Sequence, residues 1–243
     1  MTVHETPLDL LFLGSGNAFG VDGRAFSSVL LNGRYLFDCG PTVLQQLRKA
    51  NVSHTDIEVV FVSHFHADHF FGLPFLLLAS HHEGRARDLA IVGPPGIEER
   101  TRALTSLGYT HVLDELEFGL RFVEVLDGCR GHVCGLDFTA ARVEHVDHLT
   151  CFAYRAEPGG RSMVYSGDTT LCDGLLRLSD AADVVVLECS CDGASVHLSP
   201  EGVAAVAKHA PEAQIILTHL DGKQDGRAFP GMIIAEDVGR YRF

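Results

Sequence analysis

Between positions 63 and 69 the chain reads Ser63-His64-Phe65-His66-Ala67-Asp68-His69, directly after the apolar run Val59-Val60-Phe61-Val62. His64 and His66 alternate, so an extended backbone turns both imidazoles to the same side. Asp68 and His69 are adjacent, so their side chains diverge and can serve a second centre. Neutral imidazoles mixed with a hard carboxylate suit a divalent cation, zinc first, with manganese or iron accepting the same donors. Metal-assisted hydrolysis is the chemistry such a cluster offers at the mouth of a strand.

The pattern His-x-His-x-Asp-His resembles the signature of the metallo-β-lactamase superfamily. That resemblance implies further ligands downstream, and residues of the right types follow in the family's order. His145 closes Arg142-Val143-Glu144-His145, Asp168 lies in Ser166-Gly167-Asp168-Thr169, and His219 ends Ile215-Ile216-Leu217-Thr218-His219. Carried over residue by residue, the likeness implies two metal ions. His64, His66 and His145 would hold one, Asp68, His69 and His219 the other, and Asp168 would bridge them. His148, three residues after His145, is an alternative third ligand. A hydroxide trapped between two cations would be the nucleophile, since coordination lowers the pKa of water from 15.7 to about 7. Asp68 would bind metal and orient that nucleophile.

Two further segments narrow the likeness to one branch. Gly14-Ser15-Gly16-Asn17-Ala18 with Arg24-Ala25-Phe26-Ser27-Ser28, and Glu188-Cys189-Ser190 with His197-Leu198-Ser199-Pro200-Glu201, are similar to the ribonuclease Z branch. The late pattern is also similar to the cyclic phosphodiesterase of bacterial phosphonate breakdown. Both likenesses imply that His197 faces the metals and stabilises or protonates a phosphoryl or leaving oxygen. Taken without them, His197 is equally a loop residue beside Ser199, a helix N-cap. Three departures stand against carrying either activity over whole. Residues 93–145 hold no glycine-rich, basic arm for gripping tRNA, and Leu187-Glu188-Cys189-Ser190 replaces a His-Glu-Ala-Thr signature. Residues 17–28 contain no cysteine for the extra zinc site of the phosphonate enzyme. What remains is a dinuclear hydrolase of a small phosphodiester, cyclic forms included. The alternative is a lactone, ester or thioester hydrolase using the same centre, with Phe70, Phe71 and Phe75 lining an apolar pocket.

The elements that must position these residues follow from patterning. Strands are predicted at Leu8–Leu13, Ser27–Leu31, Arg34–Asp38, Val59–Val62, Leu89–Val92, Cys151–Arg155, 162–166, Val184–Leu187 and 214–218. Asn32-Gly33 signals a hairpin. The stretch 118–145 alternates well enough for two or three strands, with Asp127-Gly128 as a turn. Helices are predicted at 42–50, Phe70–Ala79, 97–107, 170–179 and 199–209, with Pro74 tolerated only near a first turn. Two β-rich halves that each acquire helices point to stacked mixed sheets with helices outside, and the family's αββα sandwich has that α/β architecture. One domain over 1–243 is expected.

Composition bounds the partners. The formal net charge of −13 disfavours a polyanionic macromolecule, and no Lys/Arg cluster offers a phosphate-backbone footprint. A small-molecule substrate is therefore expected, and likeness to relatives that dimerise implies a homodimer as one association state. None of the seven cysteines forms a Cys-x-x-Cys pair, which predicts reduced, mostly buried thiols. Neither an export-type leader nor a membrane-length apolar run appears, so a cytoplasmic protein is expected. His4, His54, His111, His132 and His209 read as surface or helix-end residues, and Asp221 and Asp225 as pocket rim or solvated loop.

Overall fold

The computed structural model describes residues 7–191, 195–222 and 228–243. His4 and Asp225 lie outside the described residues. The first half of the chain forms strands β1 (Asp9–Gly14), β2 (Ser28–Leu31), β3 (Tyr35–Phe37), β4 (Val59–Phe61), β5 (Leu89–Gly93) and β6 (Leu120–Glu124). Between them come helices α1 (Val43–Lys49), α2 (Ala67–Phe70), α3 (Leu73–His82) and α4 (Ile97–Gly108). The second half adds β7 (Arg130–Val133), β8 (Leu136–Val143), β9 (Cys151–Glu157), β10 (Met163–Tyr165), β11 (Val184–Glu188), β12 (Gln214–Thr218), β13 (Ile233–Ile234) and β14 (Gly239–Arg242). Helices α5 (Asp173–Ser179) and α6 (Pro200–His209) lie within it.

Two sheets result, ordered β14-β1-β2-β3-β4-β5-β6 and β13-β12-β11-β10-β9-β8-β7. In each, one side is antiparallel and the strands β3 to β6 or β10 to β13 run parallel. Period-2 alternation explains the continuous apolar runs. Leu10, Phe12, Phe37 and Phe61 point into a core between the sheets, with Phe138, Tyr154 and Tyr165 from the other side. Leu11, Leu13, Leu36 and Val60 point outward under α1 and α3. Val185 and Leu187 do the same under α5 and α6. Both faces of the central strands are therefore dry, as in sheets covered by helices. This is the expected αββα sandwich.

Two local expectations need correction. The helix predicted over Phe70–Ala79 is instead α2 and α3, broken at Gly72, whose amide donates to the Cys39 carbonyl at 2.7 Å. Pro74 falls in the first turn of α3, where its missing N–H costs nothing. The expected turn at Asp127-Gly128 is present, closed by the Cys129 amide donating to the Leu126 carbonyl at 3.0 Å, and it carries the chain from β6 in one sheet to β7 in the other. The short strands β13 and β14 lie beyond the last predicted strand. His54 is buried, 3.8 Å from Glu83, not on the surface. The Asn32-Gly33 turn, by contrast, takes the positive φ at both residues that a type I′ hairpin requires. Among the described residues no helix is long and apolar enough to cross a membrane.

The loop carrying Asp68 rests on backbone-to-backbone contact. A Cβ on Gly40 would lie 2.0 Å from the Asp68 carbonyl oxygen, and one on Gly72 would lie 2.1 Å from that of Gly40. Gly40→Ala is therefore expected to cost about 1–3 kcal/mol, lowering the melting temperature by roughly 2–12 °C. Gly108→Ala, where a Cβ meets nothing within 4 Å, should leave it unchanged or raise it. Equal melting temperatures for the two variants would show that the loop does not need this contact.

Candidate metal centre

The clustered side chains sit at the carboxyl ends of strands, along one edge between the sheets. His64 follows β4, His145 follows β8, Asp168 follows β10 and His219 follows β12. His219 is in the left-handed region at φ 53°, and so is Asp38 after β3 at φ 59°. Such backbone costs about 1–3 kcal/mol per residue and persists only where surroundings over-determine it. Here it turns both side chains sideways into the inter-sheet edge.

Two donor sets meet at Asp168. In the first, His64 Nε2 lies 2.9 Å from His66 Nδ1, which is 3.3 Å from His145 Nε2. Asp168 Oδ2 stands 3.9 Å from His64 Nε2 and 3.8 Å from His145 Nε2. In the second, His69 Nε2 is 3.1 Å from Asp68 Oδ2 and 3.3 Å from Asp168 Oδ1. His219 Nε2 is 3.4 Å from Asp68 Oδ2 and 3.3 Å from Asp168 Oδ2. His145, not His148, joins the first set. His148 is exposed, with its ring centre 6.4 Å from that of His66.

Partners behind the rings fix which nitrogen is free. His145 Nδ1 donates to the Val196 carbonyl at 2.7 Å. His69 Nδ1 donates to Asp38 Oδ2 at 2.6 Å. Ser63 Oγ donates to Asp38 at 2.8 Å, so it accepts from His64 Nδ1 at 2.9 Å. His64 and His145 therefore direct an Nε2 lone pair inward, and His69 turns its Nε2 to the same place.

This arrangement fits divalent cations. Donors around a tetrahedral ion at 2.0–2.1 Å stand about 3.3 Å apart, and the observed separations bracket that spacing. His69 Nε2 and Asp168 Oδ1 are buried with no hydrogen-bond partner, the state of atoms that expect a ligand. Burial, with His69 nearby, holds the His64 imidazole well below its usual pKa, and burial lowers His66 and His145 too. All three are thus neutral ligands. Burial disfavours the charged Asp168, yet His219 and His69 outweigh it and keep the carboxyl well below the carboxylate range. His69 and His219 are displaced upward, the surrounding carboxylates, Asp168 foremost, overcoming the effect of burial. They hold the positive charge that a cation would replace.

Two carboxylates outside the predicted set complete the centre. Asp38 is fully buried and accepts from the Ser63 amide at 2.7 Å, the Ser63 hydroxyl, His69 and the Tyr165 hydroxyl at 2.8 Å. Glu188, at the end of β11, accepts from the Thr169 amide at 2.6 Å and from His197 Nδ1 at 2.9 Å. Burial, then the charge of Asp168, pushes the Glu188 carboxyl up. His197 is displaced upward to about 9, burial opposing and the Glu188 hydrogen bond winning. Its Nδ1 is 3.9 Å from Asp168 Oδ2, beside both donor sets. Polar residues directly after apolar strands are the one sequence signal for Asp38 and Glu188. Asp221 accepts from Ser190 at 2.9 Å.

The centre opens into a cavity of about 190 Å³ lined by Asn17, Phe19, Val146 and Val196 above the His and Asp floor. No Lys or Arg lines it among the described residues. A wider groove of about 760 Å³, reaching Arg142, Asp173 and Arg177, adjoins it at His145 and Val146.

Comparison with known proteins agrees with this geometry. Residues 33–220 match the Beta-lactamase superfamily domain. Ribonuclease Z of Methanosarcina mazei is 29% identical, with 95% of this chain and 96% of the relative covered. Among solved structures, the metallo-β-lactamase fold protein YhfI of Bacillus subtilis superposes with a TM-score of 0.79 at 22% identity, covering 98% of this chain and 100% of YhfI. The short form of human tRNase Z gives a TM-score of 0.77 at 26% identity, covering 96% and 98%. The domain match spans most of the chain and reaches both sheets, and relatives along its length are ribonucleases, so this protein is a hydrolase of the metallo-β-lactamase superfamily.

Proposed function

We propose that the two donor sets hold two divalent ions, zinc first, and that the protein hydrolyses a small phosphodiester, linear or cyclic, to a monoester and an alcohol. His64, His66, His145 and Asp168 would hold one ion, and Asp68, His69, His219 and Asp168 the other. The observation that carries the reading is His197, an imidazole beside both sets and itself backed by the buried Glu188 carboxylate. Divalent cations there supply Lewis-acid polarisation of a phosphoryl oxygen and a lowered pKa for water. The chain's own residues do the rest. Asp68 Oδ2 faces the centre and orients the attacking water. Glu188 engages His197 Nδ1, so Nε2 is the atom that hands a proton to the leaving oxygen, and Glu188 stabilises the imidazolium beforehand.

Charge and size support a small substrate over tRNA. The net charge is −13, and no described Lys or Arg lines the cavity. The alignment with the Methanosarcina ribonuclease runs over 298 positions against the 243 residues of this chain, so that relative carries insertions absent here.

The test is hydrolysis of bis(p-nitrophenyl) phosphate by zinc- and manganese-loaded protein, beside a lactone and a p-nitrophenyl carboxylate ester. Metal-dependent diester cleavage lost in Asp68→Ala is expected; turnover confined to the lactone or ester would replace the phosphoryl reading with the carbonyl one. His197→Ala should cost about 10²-fold or more in kcat on diesters with an alkoxide leaving group, and far less with p-nitrophenolate, which departs unprotonated. Metal content should stay unchanged. The exposed His132→Ala serves as control, and an equal loss on both leaving groups would remove the proton-donor role.

Stability should depend on pH in opposite senses with and without metal. In the metal-free fold His69, His219 and His197 hold protons more tightly than the unfolded chain does, His197 up to about 9. Their stabilisation is complete below the unfolded value of about 6.5 and is lost as pH rises through the raised values. Chelator-treated protein should therefore melt at lower temperature as pH climbs from 6.5 towards 9. With zinc present, protons no longer compete for His69 and His219, so affinity and melting temperature should rise over the lower part of that window. A flat or rising metal-free profile would contradict the assignment.

A further inference from the structure

We infer that Phe19 is the specificity-determining residue of the centre, a stacking platform for a planar aromatic substituent, such as a nucleobase, on the phosphodiester. The inference rests on the phosphodiesterase reading and names the class of diester. Phe19 is 86% exposed and is the exposed large apolar side chain that lines the metal cavity. Scattered surface hydrophobics need no explanation, but this one is held in place.

The Phe19 amide donates to Asn17 Oδ1 at 3.1 Å, and the Gly20 amide to the Asn17 carbonyl at 3.1 Å. The Asn17 amide in turn donates to the carbonyl of Leu220 at 3.2 Å, and the Leu220 amide to that of Ser15 at 2.8 Å. Leu220 directly follows His219, so the loop is tied to the residue beside a donor of the second set. Asp237 secures the loop's base, accepting from the Ser15 amide at 2.9 Å and the Ala25 amide at 2.7 Å. The backbone that carries the ring is thereby fixed beside the centre, and the ring, 86% exposed, is open to a partner.

The chemistry of the cavity selects what meets that face. Its floor is His and Asp, and its other apolar lining is Ala18 with Val146 and Val196, the two valines each next to a histidine of the centre. A phosphodiester seated on the floor projects its ester groups towards these residues. With no cation among the described lining residues, a second phosphate there would be unpaired. A neutral group with a π face, by contrast, stacks on Phe19, and such contacts change affinity about 5- to 140-fold per base on alanine substitution.

The chain contains no tryptophan, so Phe19→Trp introduces a single fluorophore at the platform. On zinc-loaded Phe19→Trp protein, adenosine 5′-monophosphate and phenyl phosphate should quench the emission and ribose 5-phosphate should not. Quenching by the nucleotide alone would make the aromatic group a nucleobase, and equal quenching by both would make it any aryl group. Quenching by none, or equally by all three, overturns the platform. In kinetics, Phe19→Ala should raise KM about 5- to 140-fold on thymidine 5′-(p-nitrophenyl phosphate), with kcat little changed. The methyl diester of ribose 5-phosphate, which carries no aromatic ring, should change less than about twofold, and Phe19→Trp should restore the nucleoside ester. Equal losses on both diesters would reduce Phe19 to a structural role. If wild-type protein cleaves neither diester, the phosphodiesterase reading fails, while the fluorescence arm still decides whether Phe19 stacks.

Discussion

Four carboxylates, Asp38, Asp68, Asp168 and Glu188, are buried together at one edge of the sandwich, and no Lys or Arg pairs with them among the described residues. Buried negative charge without counter-charge is among the costliest arrangements a fold can contain. Imidazoles provide the counter-charge, and the architecture is arranged around bringing them in. Five histidines contact Asp168, and Asp38 alone gathers four donors from two strand ends and helix α2. A group of this kind is stable only when cations or protons occupy it, so charge balance and metal affinity are the same property seen from two sides.

The backbone carries its share of that arrangement. Asp38 and His219 sit in left-handed conformations directly after parallel strands, and Gly167 does the same just before Asp168. A Cβ on Gly167 would lie 2.7 Å from the Ser63 side chain, so the approach of the two sheets at the centre requires glycine there. Strand ends that would otherwise run straight on into solvent are bent into the edge. The local strain is offset by the hydrogen bonds gathered on Asp38 and Glu188.

Much of this was legible in the sequence, for identifiable reasons. Central strands buried on both faces read as unbroken apolar runs, and the dense His64–His69 cluster has a spacing that few other functions explain. Asp168, His219 and His197 stood out only through family order, because a lone acid or imidazole at a strand end has no spacing of its own. The choice between His145 and His148 needed the fold, since three residues of loop leave either within reach. Asp38 and Glu188 were missed because their partners lie 25 to 127 and 9 to 19 positions away. Phe19 gave no sign either, as its meaning lies in a loop fastened to a strand near the other end of the chain. The break between α2 and α3 was hidden for a similar reason, Gly72 being fixed by contact with Gly40 and not by its neighbours.

The first sheet contributes His64, His66, Asp68 and His69, and the second contributes His145, Asp168 and His219. Each donor set therefore draws on both halves of the chain. On the proposed function, an ion seated in either set would be a reversible cross-link between residues far apart in sequence, and two ions would make a paired staple. The cohesion of the sandwich at this edge would then follow the free metal concentration of its surroundings. Neither half of the chain alone offers a complete set of these donors, so capture of the ions and closure of the two sheets would be one cooperative event.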